Sequence, residues 1–228
     1  MPIKNNNVEK RPRDEIFDNP DLPASLGVSE IMMKMGGAPQ ELIDNLEGLR
    51  VKEDWFRLSE NISFYSKWLP LAFASYYEFI PDEHRYRFLM DLYAHGGDRV
   101  PAIRKEVRTA SKYGSPVLPE ELDGIDTITV YRAGDEDINK AKYRLSWTFD
   151  REKAEWFMIY SGLRKASDMH LYKGEIKREK IIGYVDSREE KEIIQYRNVR
   201  NIQEIEFMTY RDIINQWKKD CKESEAAG

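Results

Sequence analysis

One cysteine, Cys221, stands in 228 residues. A lone thiol excludes an intramolecular disulfide and a zinc site built on cysteines. The three histidines, His84, His95 and His170, lie far apart without H-E-x-x-H spacing, so no metal is expected. No apolar run reaches the roughly 18 residues of a membrane span. Met1 to Asp21 is polar and charged with no apolar centre, unlike a secretory signal, which predicts a cytoplasmic protein without a membrane partner. The phosphate-cradling loops G-x-x-x-x-G-K-[ST] and G-x-G-x-x-G are missing, as is the G-x-S-x-G elbow of a hydrolase serine. A net charge of -5 argues against wholesale attraction to nucleic acid or anionic lipid.

Apolar and aromatic residues are plentiful, with 5 Trp, 13 Tyr and 9 Phe, too many for a disordered chain. Residues 1–25 are the exception. Asn5-Asn6-Asn7, Pro12, Pro20 and Pro23 predict a flexible arm. Residues 26–117 read as a helical region. Trp55, Leu58, Ile62, Tyr65 and Leu69 step by three and four, forming one apolar face. Pro70 suits the first turn of a new helix through Leu71 to Phe79. Glu83 to His95 predicts another, stopped by Gly96-Gly97. Val100, Ile103, Val107 and Ala110 repeat the period.

The period changes near Leu118. Ile125 to Tyr131 is β-branched and alternating, hence a strand, and Ser146 to Phe149 is a second. Asp150 then caps a helix carrying Ala154, Phe157 and Met158, followed by a polar loop over Ser161 to Asp168. Strand-like runs follow at Leu171–Ile176, Lys180–Val185, Lys191–Tyr196 and Ile202–Met208, with a closing helix over Arg211–Lys222 and a fraying tail. Helices followed by short strands predict an α+β fold, with a core over 118–212 and a C-terminal helix and tail over 213–228.

Three segments carry residues suited to chemistry: Tyr131-Arg132 at a strand end, Ser146-Trp147-Thr148 on a strand before a capped helix, and Arg188-Glu189-Glu190-Lys191-Glu192-Ile193-Ile194 running into a strand. Each alone has a plain explanation as solvated charge or half-buried pleat. In this order they resemble the R-S-E class of mono-ADP-ribosyltransferases, the cholera-toxin-like and arginine-specific branch, which includes bacterial and phage-related toxins and effectors. The resemblance covers roughly Leu118 to Met208. It implies two packed, mainly antiparallel small sheets around a cleft that takes NAD+ as substrate. Ala133 replaces the glycine common after Tyr-Arg, with Gly134 one step later, and Trp147 replaces the middle Thr of S-T-S.

Cleavage of the bond between nicotinamide and ribose develops an oxocarbenium-like cation that a nearby carboxylate stabilises. Glu192, first residue of its strand, is the candidate, and by the resemblance it bonds the ribose 2′-hydroxyl. Glu190 shares its face if the strand extends back, and is placed to deprotonate a nucleophile. Glu189 then points away. Arg132 offers a guanidinium fork to the pyrophosphate or ribose, and Ser146 is expected to hold Glu192 by a hydrogen bond. Tyr131, Ser146, Trp147 and Thr148 are expected along the cofactor. Phe157, Tyr160 and Trp156 are candidates to stack on nicotinamide, the loop from Tyr160 to Met169 to cover NAD+, and Tyr184 and Tyr196 to meet the acceptor.

The resemblance makes protein arginine the default acceptor, since E-x-E is intact. From Ile138 to Lys180 there are 11 Lys and Arg against 6 Asp and Glu, a basic zone suiting NAD+ and also an RNA or DNA base. Other readings are an NAD glycohydrolase and an inactive interaction domain. The arm and first helix are candidates to dock an antitoxin or chaperone.

Overall fold

The computed structural model describes residues 28–65, 67–96, 99–186 and 190–227, so the expected arm and the Arg188-Glu189 pair lie outside it. Six helices come first: α1 (Val28–Met35), α2 (Gln40–Val51), α3 (Trp55–Phe64), α4 (Leu69–Tyr76), α5 (Asp82–Ala94) and α6 (Pro101–Val107). The Asp54 side chain caps α3 by accepting from the Arg57 amide at 3.2 Å. Trp55, Leu58 and Ile62 bury their shared face, but the five-residue stripe read from sequence is split across two helices. Tyr65 ends α3 and is exposed, and Leu69 opens α4, with Pro70 in its first turn. Gly96, at φ +102°, turns the chain after α5.

The second half carries β1 (Thr127–Gly134), α7 (Ile138–Ala141), β2 (Ser146–Thr148), α8 (Arg151–Lys165), β3 (Met169–Lys177), β4 (Gly183–Val185), β5 (Glu192–Ile194), β6 (Arg200–Met208) and α9 (Tyr210–Ala227). The fold is thus mixed helix and antiparallel sheet. The expected pair of small packed sheets is instead one six-stranded sheet in the order β4-β5-β2-β1-β3-β6. Its halves differ: β1, β3 and β6 have eight or nine residues, while β2, β5 and β4 have three each. The single registered pair Tyr131↔Thr148 joins them, and this link is what merges two expected sheets into one. The polar loop expected from Ser161 is helical as far as Lys165, ending at Ala166 in left-handed conformation (φ 51°). The closing helix outruns Arg211–Lys222 in both directions, which replaces most of the fraying tail.

Strand alternation separates the faces. Ile128, Val130, Trp147, Tyr172 and Ile193 point into one core with Leu122 and Ile181. On the opposite face, Ile194 and Val185 join the core of the helical region, which includes Leu58, Phe88, Leu92 and Ile103. The helices therefore pack on the short-stranded half. Gly183 permits this approach, because a Cβ there would run into the Met90 sulfur on α5. Over the long-stranded half, α8 and α9 close a third core of Ala154, Met158, Met169, Leu171 and Ile213. Between the helical region and α8 a gap remains over the Tyr131↔Thr148 link.

Candidate functional site

The floor of this gap is short sheet. Register places Thr148 directly across from Glu192, Trp147 across from Ile193 and Ser146 across from Ile194. Opposed residues share a face, so Ser146, Thr148 and Glu192 look into the gap, with Ser146 diagonal to Glu192. Thr148 is thus the nearer cross-strand neighbour of the carboxylate, and its Oγ1 also accepts from the Asp150 amide at 3.1 Å, fixing the turn into α8. Trp147 lies on the other face. Its ring is buried in the second core, so it packs beneath the site and borders the cavity from below.

Glu190 reaches the same gap by a route the strand pattern did not give. The strand starts only at Glu192, and Lys191 before it has φ 47°, in the left-handed region. The Lys191 amide donates to Asp186 at 3.0 Å, and its ammonium lies 3.3 Å from Glu121 and 3.6 Å from Asp150. The hydrogen bond to Glu121 holds the Lys191 ammonium above its ordinary pKa. With Lys191 tied outward, Glu190 and Glu192 both border the cavity.

Arg132 is on the face opposite Glu192, paired across to Tyr172 in β3. At the strand end its guanidinium donates through Nη1 to the Ser146 carbonyl at 2.7 Å and through Nε to Glu136 at 2.9 Å. Glu136 also accepts from Arg144 Nε at 3.1 Å, and its carboxylate is almost wholly buried. The Tyr172 hydroxyl donates to the Glu136 carbonyl at 2.6 Å, and burial pushes that phenol up to about 12. Gly134 permits this arrangement, since a Cβ on it would sit 2.7 Å from the Glu136 carboxyl. Arg132 is therefore committed to positioning β2 as much as to a ligand. Sequence reading missed Glu136, one of three consecutive acids after a strand, because nothing in such a run marks which one turns inward.

The cavity over this floor measures about 610 Å³. Tyr131, Arg132, Ser146, Trp147, Thr148, Phe157, Glu190 and Glu192 all border it. A second cavity of about 570 Å³ shares Tyr93, Ser146, Phe157, Ser161, Arg164, Glu190 and Glu192 with the first. Tyr160 borders only this second one of the two, beside Trp156, on which its ring stacks at 4.8 Å and 9°. The expected covering loop is helical as far as Lys165, and Ser161, Arg164 and Lys165 reach the first cavity from the last turns of α8. Tyr184 and Tyr196 border neither. Tyr184 stacks on Phe149 in the second core, and Tyr196 lies beneath the Arg108 guanidinium.

The helical region supplies the facing wall with Tyr93, Arg104 and Arg108. Seven Lys and Arg border the first cavity against two Glu. Four of the seven are locally compensated: Arg132 and Arg144 by Glu136, Lys140 by Asp137 and Lys165 by Asp135. Arg104, Arg108 and Arg164 have no ion pair among the described residues, and the buried Nε of Arg104 lacks a hydrogen-bond partner among them. Such a site favours an elongated anion lying between the sheet and the helical wall. Comparison with family models, with curated proteins and with solved structures finds no match for this chain.

Proposed function

We propose that the protein breaks the nicotinamide–ribose bond of NAD+ and transfers ADP-ribose to a macromolecular acceptor. One observation carries the reading: Arg132, Ser146, Glu190 and Glu192, from three separate strand regions, border one cleft whose remaining charged walls are all cationic. The core would then be of the ADP-ribosyltransferase type, which the R-S-E resemblance implies.

In this mechanism the cationic wall of Arg104, Arg108 and Arg164 takes the diphosphate. Phe157 supplies an apolar surface for the nicotinamide. The bond between ribose C1′ and the nicotinamide nitrogen breaks, and its electron pair neutralises the pyridinium. Glu192 stabilises the positive charge developing on the ribose. The acceptor nucleophile then bonds to C1′ and surrenders its proton to Glu190, giving ADP-ribosylated acceptor, nicotinamide and a proton. Arg132 positions: with Glu136 it holds the Ser146 backbone, and so the strand that faces Glu192.

Protein arginine is the acceptor that the resemblance implies. A nucleic-acid base is the second reading, favoured by the cationic walls. The test is nicotinamide release and transfer of labelled ADP-ribose to lysate by the wild type and by Glu192→Gln. The wild type should do both and the variant neither, at an unchanged melting temperature.

A further inference from the structure

The two cavities share seven residues, Glu190 and Glu192 among them, and the seam at these carboxylates is where donor and acceptor would react. The first cavity, with Arg132, Thr148 and the helical arginines, suits the dinucleotide. Resting on the NAD+ reading above, the geometry points to the second cavity as the seat of a single-stranded nucleic acid whose base is the acceptor.

The walls of that second cavity differ from what an arginine acceptor needs. Apart from the two catalytic carboxylates, its charged residues are Arg99, Lys153 and Arg164, none of them ion-paired among the described residues. Arg164 also borders the first cavity, where it serves the diphosphate, so an approaching guanidinium meets like charge from Arg99 and Lys153. NAD+ does little to reverse this, because its two phosphate charges are partly offset by its own pyridinium and face the arginines of the first cavity. A phosphodiester backbone is attracted by the same two cations.

Aromatic geometry adds a second, independent observation. Trp156 and Tyr160 lie one helical turn apart on α8, stack nearly parallel, and are 54% and 45% exposed. Large aromatic rings left this open at a cavity mouth, beside cations, form a platform for unstacked bases. A duplex must first unpair and flip a base out of its stack, whereas a single strand offers one to the seam directly, which favours the single strand. The transfer balances as before: an amino or ring nitrogen of the base forms the new bond to C1′, nicotinamide leaves with the electron pair, and the displaced proton passes to Glu190.

The test uses the full chain and two readouts. Fluorescence anisotropy of a short fluorescein-labelled single-stranded RNA or DNA reads the site without any NAD+ chemistry. Binding should weaken steeply between about 50 and 200 mM salt, and Trp156→Ala should weaken it by ~10-fold or more. Both rings are exposed, so the variant should fold, and Lys153→Gln provides a second probe with a shallower salt dependence. With radiolabelled NAD+, label should enter the oligonucleotide, not polyarginine, and be removed by nuclease. Oligonucleotide binding indifferent to both variants, or label confined to polyarginine, overturns the inference. Binding that depends on Trp156, from a protein that releases no nicotinamide, leaves the nucleic-acid site standing and overturns the transferase reading instead.

Discussion

Arg132 and Arg144, at the sheet end of the cleft, share one buried carboxylate, whereas Arg104, Arg108 and Arg164 on its helical walls have no ion pair among the described residues. Both sets carry the same charge toward the same cavity. The first set is already committed, and removing its partner would leave two cations uncompensated next to a strand end. The second set is held by weaker contacts, Arg108 and Arg164 lying over the rings of Tyr196 and Tyr160, and in the proposed reading it is the set that meets the bound anion. In the proposed reading, sheet-side cations set geometry and helix-side cations supply affinity.

Glu192→Gln strikes the floor hardest. It keeps shape and hydrogen-bonding capacity but removes the charge proposed to face the developing cation, and nicotinamide release should fall by ~100-fold or more. A loss of stability in step with activity would instead make Glu192 a structural residue. Next is Glu136→Gln, where the fold should lose ~2–4 kcal/mol, below the usual cost of breaking a buried pair because Arg144 is 45% exposed. The midpoint of urea unfolding reads it directly. The contrasting change, Arg104→Gln, should weaken ADP-ribose binding by about 10-fold through a lost charge-assisted hydrogen bond, while the unfolding midpoint moves far less than for Glu136→Gln. Calorimetric titration beside a urea curve separates the two, and equal stability losses at both positions would erase the distinction.

Much of the candidate site was legible because its residues sit on short strands. Ser146-Trp147-Thr148 and Glu192-Ile193-Ile194 alternate by two, and the structure sets them against each other in register. Period alone also separated the helical half from the strands. What stayed hidden depends on contacts distant in sequence. Arg104 sits on α6 and Arg108 caps its end, where charged residues usually face water, and only packing of that helix against α4 and α5 turns them to the cleft. Glu136 is indistinguishable by pattern from Asp135 and Asp137. Lys191 adopts a left-handed backbone that strand periodicity does not anticipate, held by Asp186, Glu121 and Asp150. The merging of two expected sheets rests on one residue pair, Tyr131↔Thr148.

The smallest effect tests the committed side at its edge. Burial pushes the Asp135 carboxyl up, but the hydrogen bond and charge of Lys165 outweigh it and hold the pKa below the ordinary carboxylate value. A depressed carboxylate stabilises the fold above its unfolded pKa, ~3.9, and the contribution disappears as pH falls through the lower folded value. Asp135→Asn should therefore cost no more than ~1 kcal/mol at neutral pH, and variant and wild type should converge in acid. Convergence at alkaline pH instead would show that another group controls the pair.

The most direct test of the cleft is nicotinamide release from NAD+ by the full-length wild type, measured beside Glu192→Gln of matched melting temperature. Release by the wild type and its near-complete loss in the variant is the expected result. No release by a well-folded wild type, or equal release by both proteins, would contradict the role given to this carboxylate.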